Sequence, residues 1–282
     1  VIKHLYRWIL AGLLASTSTV FATVEQNHIF MHDGVERHYY IHHPKDLPKG
    51  APLVFALHGM GGNAATMRYG LGLNERANTY GFAVVYPQGI RLKQGSRHWN
   101  AGFRFSTTDD LGFLSSLAKH LQNDFGYDPN RTFAMGISMG GFMAYSLACD
   151  KTSGFSAIVS VIGTMSQQDW QNCIPNPDIS ILHIHGDQDP VVPIKGNGFL
   201  NAAPNVPAVI NYWAHSIGAH AYSLAKTPPF YSLEKYENTK TGAKVDYLVL
   251  KNFGHDWPHT KNANFSTVDA IAEFFDQIAN PE

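Results

Sequence analysis

Short, continuously apolar runs alternate with longer amphipathic stretches along most of this chain. Apolar runs lie at 52–58, 82–87, 131–135, 156–162, 179–185 and 247–251. Their shortness and continuity predict strands covered on both faces. Helical periodicity fills the intervals at about 64–79, 109–125, 141–148, 207–217 and 266–279. Strands separated by helices imply right-handed crossovers and a mostly parallel sheet flanked by helices, an α/β fold. Residues 26–43 alternate instead and carry Asp33-Gly34 in their middle, predicting an N-terminal antiparallel hairpin. The connections after 156–162 and 179–185 are modest, so no large lid is expected over the strand ends.

One strand-to-helix junction carries candidate chemistry. Gly136-Ile137-Ser138-Met139-Gly140 is a G-x-S-x-G pentapeptide between the run ending at Met135 and the helix from Gly141. A nucleophilic serine needs that context, a tight turn that pushes its hydroxyl out above a sheet. By itself the pentapeptide is equally an ordinary strand-to-helix turn. Two later loops change the balance. Gly186-Asp187-Gln188-Asp189-Pro190 follows one strand, and Asn252-Phe253-Gly254-His255-Asp256-Trp257 follows another. Serine, acid and histidine thus occur in the order of an α/β-hydrolase triad. Upstream, His58-Gly59-Met60-Gly61-Gly62 follows the strand at 52–58, where a glycine-rich turn supplies a second oxyanion donor. The amides of Met60 and Met139 are the expected donors. No G-x-x-x-x-G-K-[ST] sequence occurs, which argues against a nucleotide phosphate site.

Composition narrows the setting. Lys3 and Arg7 precede the apolar run Trp8–Ala15, and Val20-Phe21-Ala22 is a small-x-small cleavage site. Residues 1–22 are expected to be a secretory signal peptide, and 23–282 a single catalytic domain. The apolar run is too short for a spanning helix, so no stable membrane anchor is expected. Without Lys3 and Arg7 the formal net charge of −1 becomes −3, and no basic cluster stands out, which argues against nucleic acid as a partner. The two cysteines, Cys149 and Cys173, form one disulfide if the chain is exported, or two buried thiols if it is not.

As a set, these motifs resemble the secreted poly(3-hydroxybutyrate) depolymerase and feruloyl esterase group of α/β-hydrolases. The resemblance rests on Leu57–Gly62, Tyr86-Pro87-Gln88-Gly89, Trp99-Asn100-Ala101-Gly102, Asp109–Phe113, the Ser138 elbow, His185–Pro193 and Gly254–Pro258. It implies a serine esterase that needs no cofactor, with Ser138 as nucleophile, His255 as general base and Asp189 as the orienting acid. Asp187 is the rival acid. Asp189 is preferred because it matches the group's D-P-x-V-P pattern and Pro190 stiffens the backbone behind it. Asp256 adjoins the histidine but is expected to point away from it. The group's disulfide falls on Cys149 and Cys173.

Other residues carry weaker expectations. Trp257 and Trp99 are candidate aromatic walls for the acyl group. Asp109 and Asp110 are expected to cap the helix that follows rather than to act in catalysis. His183, His185 and Asp187 imitate a metal site but lack a third suitably spaced histidine, so no metal is expected. The implied reaction is hydrolysis of poly- or oligo-3-hydroxybutyrate, feruloyl or acetyl esters, small or polymeric, outside the cell or in a periplasm. Acyl transfer by the same triad and a catalytically silent binding protein are the alternatives, and a metal-dependent hydrolase would be betrayed by loss of activity with chelators.

Overall fold

A computed structural model describes residues 26–92, 95–103, 106–196 and 205–281, so the expected signal peptide lies outside the described residues. The parallel core consists of β3 (Leu53–Leu57), β4 (Ala83–Pro87), β7 (Thr132–Ile137), β8 (Ala157–Val161), β9 (Ser180–Gly186) and β12 (Lys244–Leu250). Antiparallel strands extend it at both ends. On one side are β1 (His28–His32) and β2 (Val35–His42), and on the other β11 (Tyr231–Glu237) and β10 (Ala221–Leu224). Among the described residues the order is β1-β2-β4-β3-β7-β8-β9-β12-β11-β10. A separate small ribbon pairs β5 (Ile90–Arg91) with β6 (Arg97–His98). The hairpin turns at Asp33-Gly34 as expected, with His32 opposite Val35.

Alternation along each buried strand divides the core into two layers. In β3, Leu53, Phe55 and Leu57 face one side, while Val54 and Ala56 face the other. The first layer holds α3 (Asp110–Phe125), α4 (Met139–Ala148) and α6 (Val206–Ser216), through Phe113, Phe142 and Trp213. The second holds α1 (Ala64–Gly70), α2 (Leu73–Tyr80) and α8 (Thr267–Ala279), through Met67, Ala77 and Phe275. Phe275 stacks on Phe133 of β7 with ring centroids 4.9 Å apart. Losing either ring would cost about 3–5 kcal/mol.

Chain order reverses at β3, which feeds β4 on one side and has β7 on the other. This switch point leaves a crevice beyond the strand ends, where α/β proteins place their ligands. The loops after β3, β7, β9 and β12 all open there.

The structure departs from the sequence expectations in several places. The single helix at 64–79 is two helices, broken where Gly72 takes φ +72° and caps α2. The final core strand starts at Lys244 rather than 247, and β10 and β11 were not foreseen. Every residue of β11 is half-buried, with Tyr231 and Leu233 against one layer and Tyr236 against the other, so no continuous apolar run marks it. The short helices α5 (Gln167–Asn172) and α7 (Thr260–Ala263) also lacked the length to show a period.

Cys149 and Cys173 form the disulfide, tying the end of α4 to the end of α5 across 24 residues. Closing a loop of this size restricts the unfolded chain by about 3 kcal/mol. A Cys149→Ala/Cys173→Ala double variant is therefore expected to lose about 3 kcal/mol of unfolding free energy in denaturant titration. An unchanged midpoint would show that the cross-link constrains nothing.

Candidate active site

Ser138 stands between β7 and α4 with φ 52° and ψ −116°, a conformation that costs an L-residue about 1–3 kcal/mol. Close backbone contact holds it there. A Cβ on Gly136 would collide with the carbonyl of Gly140, and a Cβ on Gly140 with that of Leu57. The serine amide donates to the Val161 carbonyl at 2.8 Å, and its own carbonyl accepts from Gly141 and Phe142. Neighbouring strands thus fix the turn from both sides.

The acid and histidine loops converge on this serine. His255 Nε2 lies 2.9 Å from Ser138 Oγ, and His255 Nδ1 lies 2.7 Å from Asp189 Oδ2. The other carboxylate oxygen accepts from the amides of Val191 and Val192, both at 2.8 Å. Burial pushes the Asp189 carboxyl up, but the hydrogen bond from His255 and those two amides outweigh it and hold it below the ordinary value. An ionised Asp189 requires the proton on His255 Nδ1, which leaves Nε2 free to accept from the serine.

The rival acids are occupied elsewhere. Asp187 accepts from the Asn252 amide at 2.6 Å, and Gln188 Nε2 donates to the Asn252 side chain at 3.0 Å. Together with backbone bonds from Asp187 to Leu250 and from Gln188 to Phe253, they zip the acid loop to the histidine loop. Asp256 accepts from the Trp257 amide and from Asn262, away from the triad. Asp109 caps α3 by accepting from Gly112 at 2.8 Å. Asp110 does not act as a cap: it is buried in an ion pair with Arg37 and accepts from the Asn100 amide.

Met139 is the first residue of α4, so its amide has no acceptor within the helix. The Met60 loop lies against the serine: a Cβ on Gly59 would stand 3.5 Å from Ser138 Cβ. Residues that sequence reasoning missed hold this loop in place. His58 donates from Nδ1 to the Gly59 carbonyl at 2.8 Å, and its Nε2 accepts from the Gly89 amide at 3.0 Å and Gln88 Nε2 at 2.9 Å. Only a neutral imidazole can do both. Their signal was present in His58, read only as the start of the glycine-rich turn, and in Tyr86-Pro87-Gln88-Gly89, singled out only for resemblance.

The cleft beside Ser138 holds about 310 Å³. Met60, Met67, Ile137, Ile162 and Trp257 form apolar walls, and Thr66 and Asp256 add polar groups. Trp257 therefore borders the site as anticipated. Trp99 does not: it is fully buried, and its Nε1–H donates to the His58 carbonyl at 2.8 Å, so it braces the Met60 loop from behind. His183 and His185 are buried and bonded to Tyr145, to each other and to Val192, out of reach of Asp187's role at the surface. Among the described residues the grouping that could hold a metal is His32, Asp33 and Asp109, by the hairpin turn.

Fold and site together define an α/β-hydrolase with a Ser-His-Asp constellation. The chain belongs to the Esterase PHB depolymerase family, whose pattern matches residues 39–246. It is 34% identical over 171 residues to feruloyl esterase C of Emericella nidulans, covering 57% of each chain. It is 28% identical over 216 residues to feruloyl esterase B of Piromyces equi, covering 73% of this chain and 40% of that one. The chain thus spans only about half the length of these relatives. In fold it is similar to an acetyl xylan esterase from Aspergillus awamori, with TM-score 0.64 at 16% identity, covering 89% of this chain and 98% of that one. The Bacillus cereus carboxylesterase gives TM-score 0.57 at 17% identity, covering 86% and 94%.

Titration of the oxyanion brace yields a stability prediction. Burial, opposed by the bond to Gly59, lowers the His58 pKa from 6.5 to about 4. Between those values the unfolded chain binds the extra proton, so the contribution is whole above pH 6.5 and is lost as pH falls towards 4. It amounts to about 3 kcal/mol. Burial lowers His183 and His185 as well, with the same sign. Unfolding free energy is expected to fall steeply from pH 6.5 to pH 4, and a His58→Gln variant to show a shallower slope. Equal slopes in the two proteins would show that His58 is not held neutral.

Proposed function

We propose that this protein is a carboxylic ester hydrolase that forms an acyl-enzyme on Ser138 and acts on feruloyl or acetyl esters of a large alcohol. One observation carries the reading: Ser138 Oγ, His255 Nε2 and Asp189 are in hydrogen-bond register beside an apolar cleft. His255 takes the serine proton as Oγ attacks the ester carbonyl, and Asp189 stabilises the imidazolium that forms. The amides of Met60 and Met139 receive the oxyanion, where one donor is worth about 10²–10³ in rate. His255 then returns the proton to the departing alcohol, and a water repeats the sequence to release the acid.

The cleft's shape supports the acyl assignment. Its walls are aliphatic, thioether and indole groups, which suit a neutral aromatic or short acyl chain. The names of the relatives, feruloyl esterases, agree with this class. Family membership favours a second substrate, 3-hydroxybutyrate oligomers, for the same machinery. The Cys149–Cys173 disulfide supports an oxidising compartment, outside the cytoplasm.

The test is kcat/KM on methyl ferulate, 4-nitrophenyl acetate and a 3-hydroxybutyrate trimer, with Ser138→Ala as the blank. Ferulate or acetate should be preferred, and Asp189→Asn should lower kcat by about 10³–10⁴ with little change in KM. Preference for the trimer would move the protein to polyester hydrolysis. No turnover above the blank on any of the three would sink the hydrolase reading.

A further inference from the structure

Behind the triad acid lies a line of three polar rings that the proton transfers above do not use. Tyr145 of α4 and His183 and His185 of β9 are all fully buried. Tyr145 Oη lies 2.7 Å from His183 Nδ1, and His183 Nε2 lies 3.1 Å from His185 Nδ1. His185 Nε2 lies 2.7 Å from the Val192 carbonyl. The imidazole rings stack with centroids 5.2 Å apart. Tyr247 of β12 meets His183 edge-on.

The direction of this line is forced from one end. A carbonyl only accepts, so His185 carries its proton on Nε2 and offers a lone pair at Nδ1. His183 must then be protonated on Nε2, which leaves Nδ1 to accept from the Tyr145 hydroxyl. Every ring nitrogen and the hydroxyl is paired in this arrangement, His185 also bonding the Gly163 backbone, and along the line from Tyr145 a second proton on either ring would meet another proton. Burial acts in the same sense and lowers both histidines, against the bond from His185 to Val192 and the charge of Asp189.

The line ends on the acid loop. Val192 is held at both polar groups: its carbonyl accepts from His185, and its amide donates to Asp189 Oδ1 at 2.8 Å. His185 Nε2 also lies 3.6 Å from Asp189 Oδ2, the oxygen that His255 bonds at 2.7 Å. The carboxylate therefore faces two imidazoles, and a charged His185 would compete with His255 for it. We infer that His185 is a positioning residue for the triad acid: kept in its neutral Nε2–H tautomer by His183 and Tyr145, it fixes Val192 and so aims Asp189 at His255. The inference rests on the reading of Ser138, His255 and Asp189 as a hydrolytic triad.

Two measurements on the full chain test it. Imidazole nitrogen NMR of the wild-type protein should find His185 neutral with its proton on Nε2 from about pH 8 to pH 5. The opposite tautomer, or protonation of His185 within that range, would overturn the proposal, and no substrate is needed. In kinetics, His185→Leu removes the donor at similar bulk, whereas His185→Gln can still donate to Val192. The Leu variant should lose about tenfold in kcat with KM unchanged. The acid limb of its kcat/KM profile should move down by about half a pH unit, because a poorly aimed carboxylate stabilises the His255 imidazolium less. His185→Gln should recover most of kcat and the wild-type limb. An unmoved limb in His185→Leu, or a Gln variant no better than Leu, refutes the role. Should the Leu variant fail to fold, the Gln profile and the wild-type tautomer decide. A wild-type chain that hydrolyses no ester refutes the functional reading instead, and leaves the tautomer result standing.

Discussion

Three stretches of backbone meet behind Ser138 at a distance that leaves no room for a side chain. Gly136 and Gly140 lie against each other, and Gly140 lies against the carbonyl of Leu57 at the end of β3. This contact sets how closely the oxyanion loop approaches the elbow, because that loop begins at the next residue, His58. It also sustains the left-handed φ of Ser138, which an isolated turn would relax. If the approach were looser, the serine would swing back into the turn and the Met60 and Met139 amides would separate. The strain is local, and the parallel sheet on either side opposes it.

The acid side obeys a different constraint. A carboxylate withdrawn from water must be fully supplied with donors or it takes a proton. Asp189 meets that demand with His255 on one oxygen and two backbone amides on the other. Pro190 limits the freedom of the turn that presents those amides. Asp187 and Gln188, two residues and one residue before, fasten the same loop to the histidine loop. The sequence Gly186-Asp187-Gln188-Asp189-Pro190-Val191-Val192 therefore divides its labour: the first carboxylate holds two loops together and the second holds an imidazole.

The legible parts of this chain were those where one physical requirement dominates locally. Strands buried on both faces must be continuously apolar, and six such strands were visible in the sequence. Order along the chain and position after a strand end pointed to Ser138, His255 and the loop of the acid, since the switch-point crevice collects those loops, while the choice of Asp189 over Asp187 came from the family resemblance. What stayed hidden depended on partners distant in sequence. Half-buried β11 carries the consecutive charges Glu234 and Lys235, one on each face, and nothing local marks it as a strand. Trp99 suggested a substrate wall by its type, but the direction of its indole N–H towards the His58 carbonyl is a tertiary fact. His58 and Gln88 are 30 residues apart, and only the pairing of β3 with β4 brings them together.

Chemistry and selectivity are carried by different parts of this fold. The reacting groups stand at the ends of strands, where register and close packing fix them to a fraction of an ångström. The cleft walls come largely from side chains of two loops and a short helix: Met60, Thr66, Met67 and Trp257. These can change without disturbing the elbow, whose requirements lie in backbone atoms. Thioether walls adapt their shape at little cost, and the surrounding sheet does not. Within a family built this way those side chains can change while the elbow stays, so identity near 30% constrains the backbone of the site far more than the shape of its cleft.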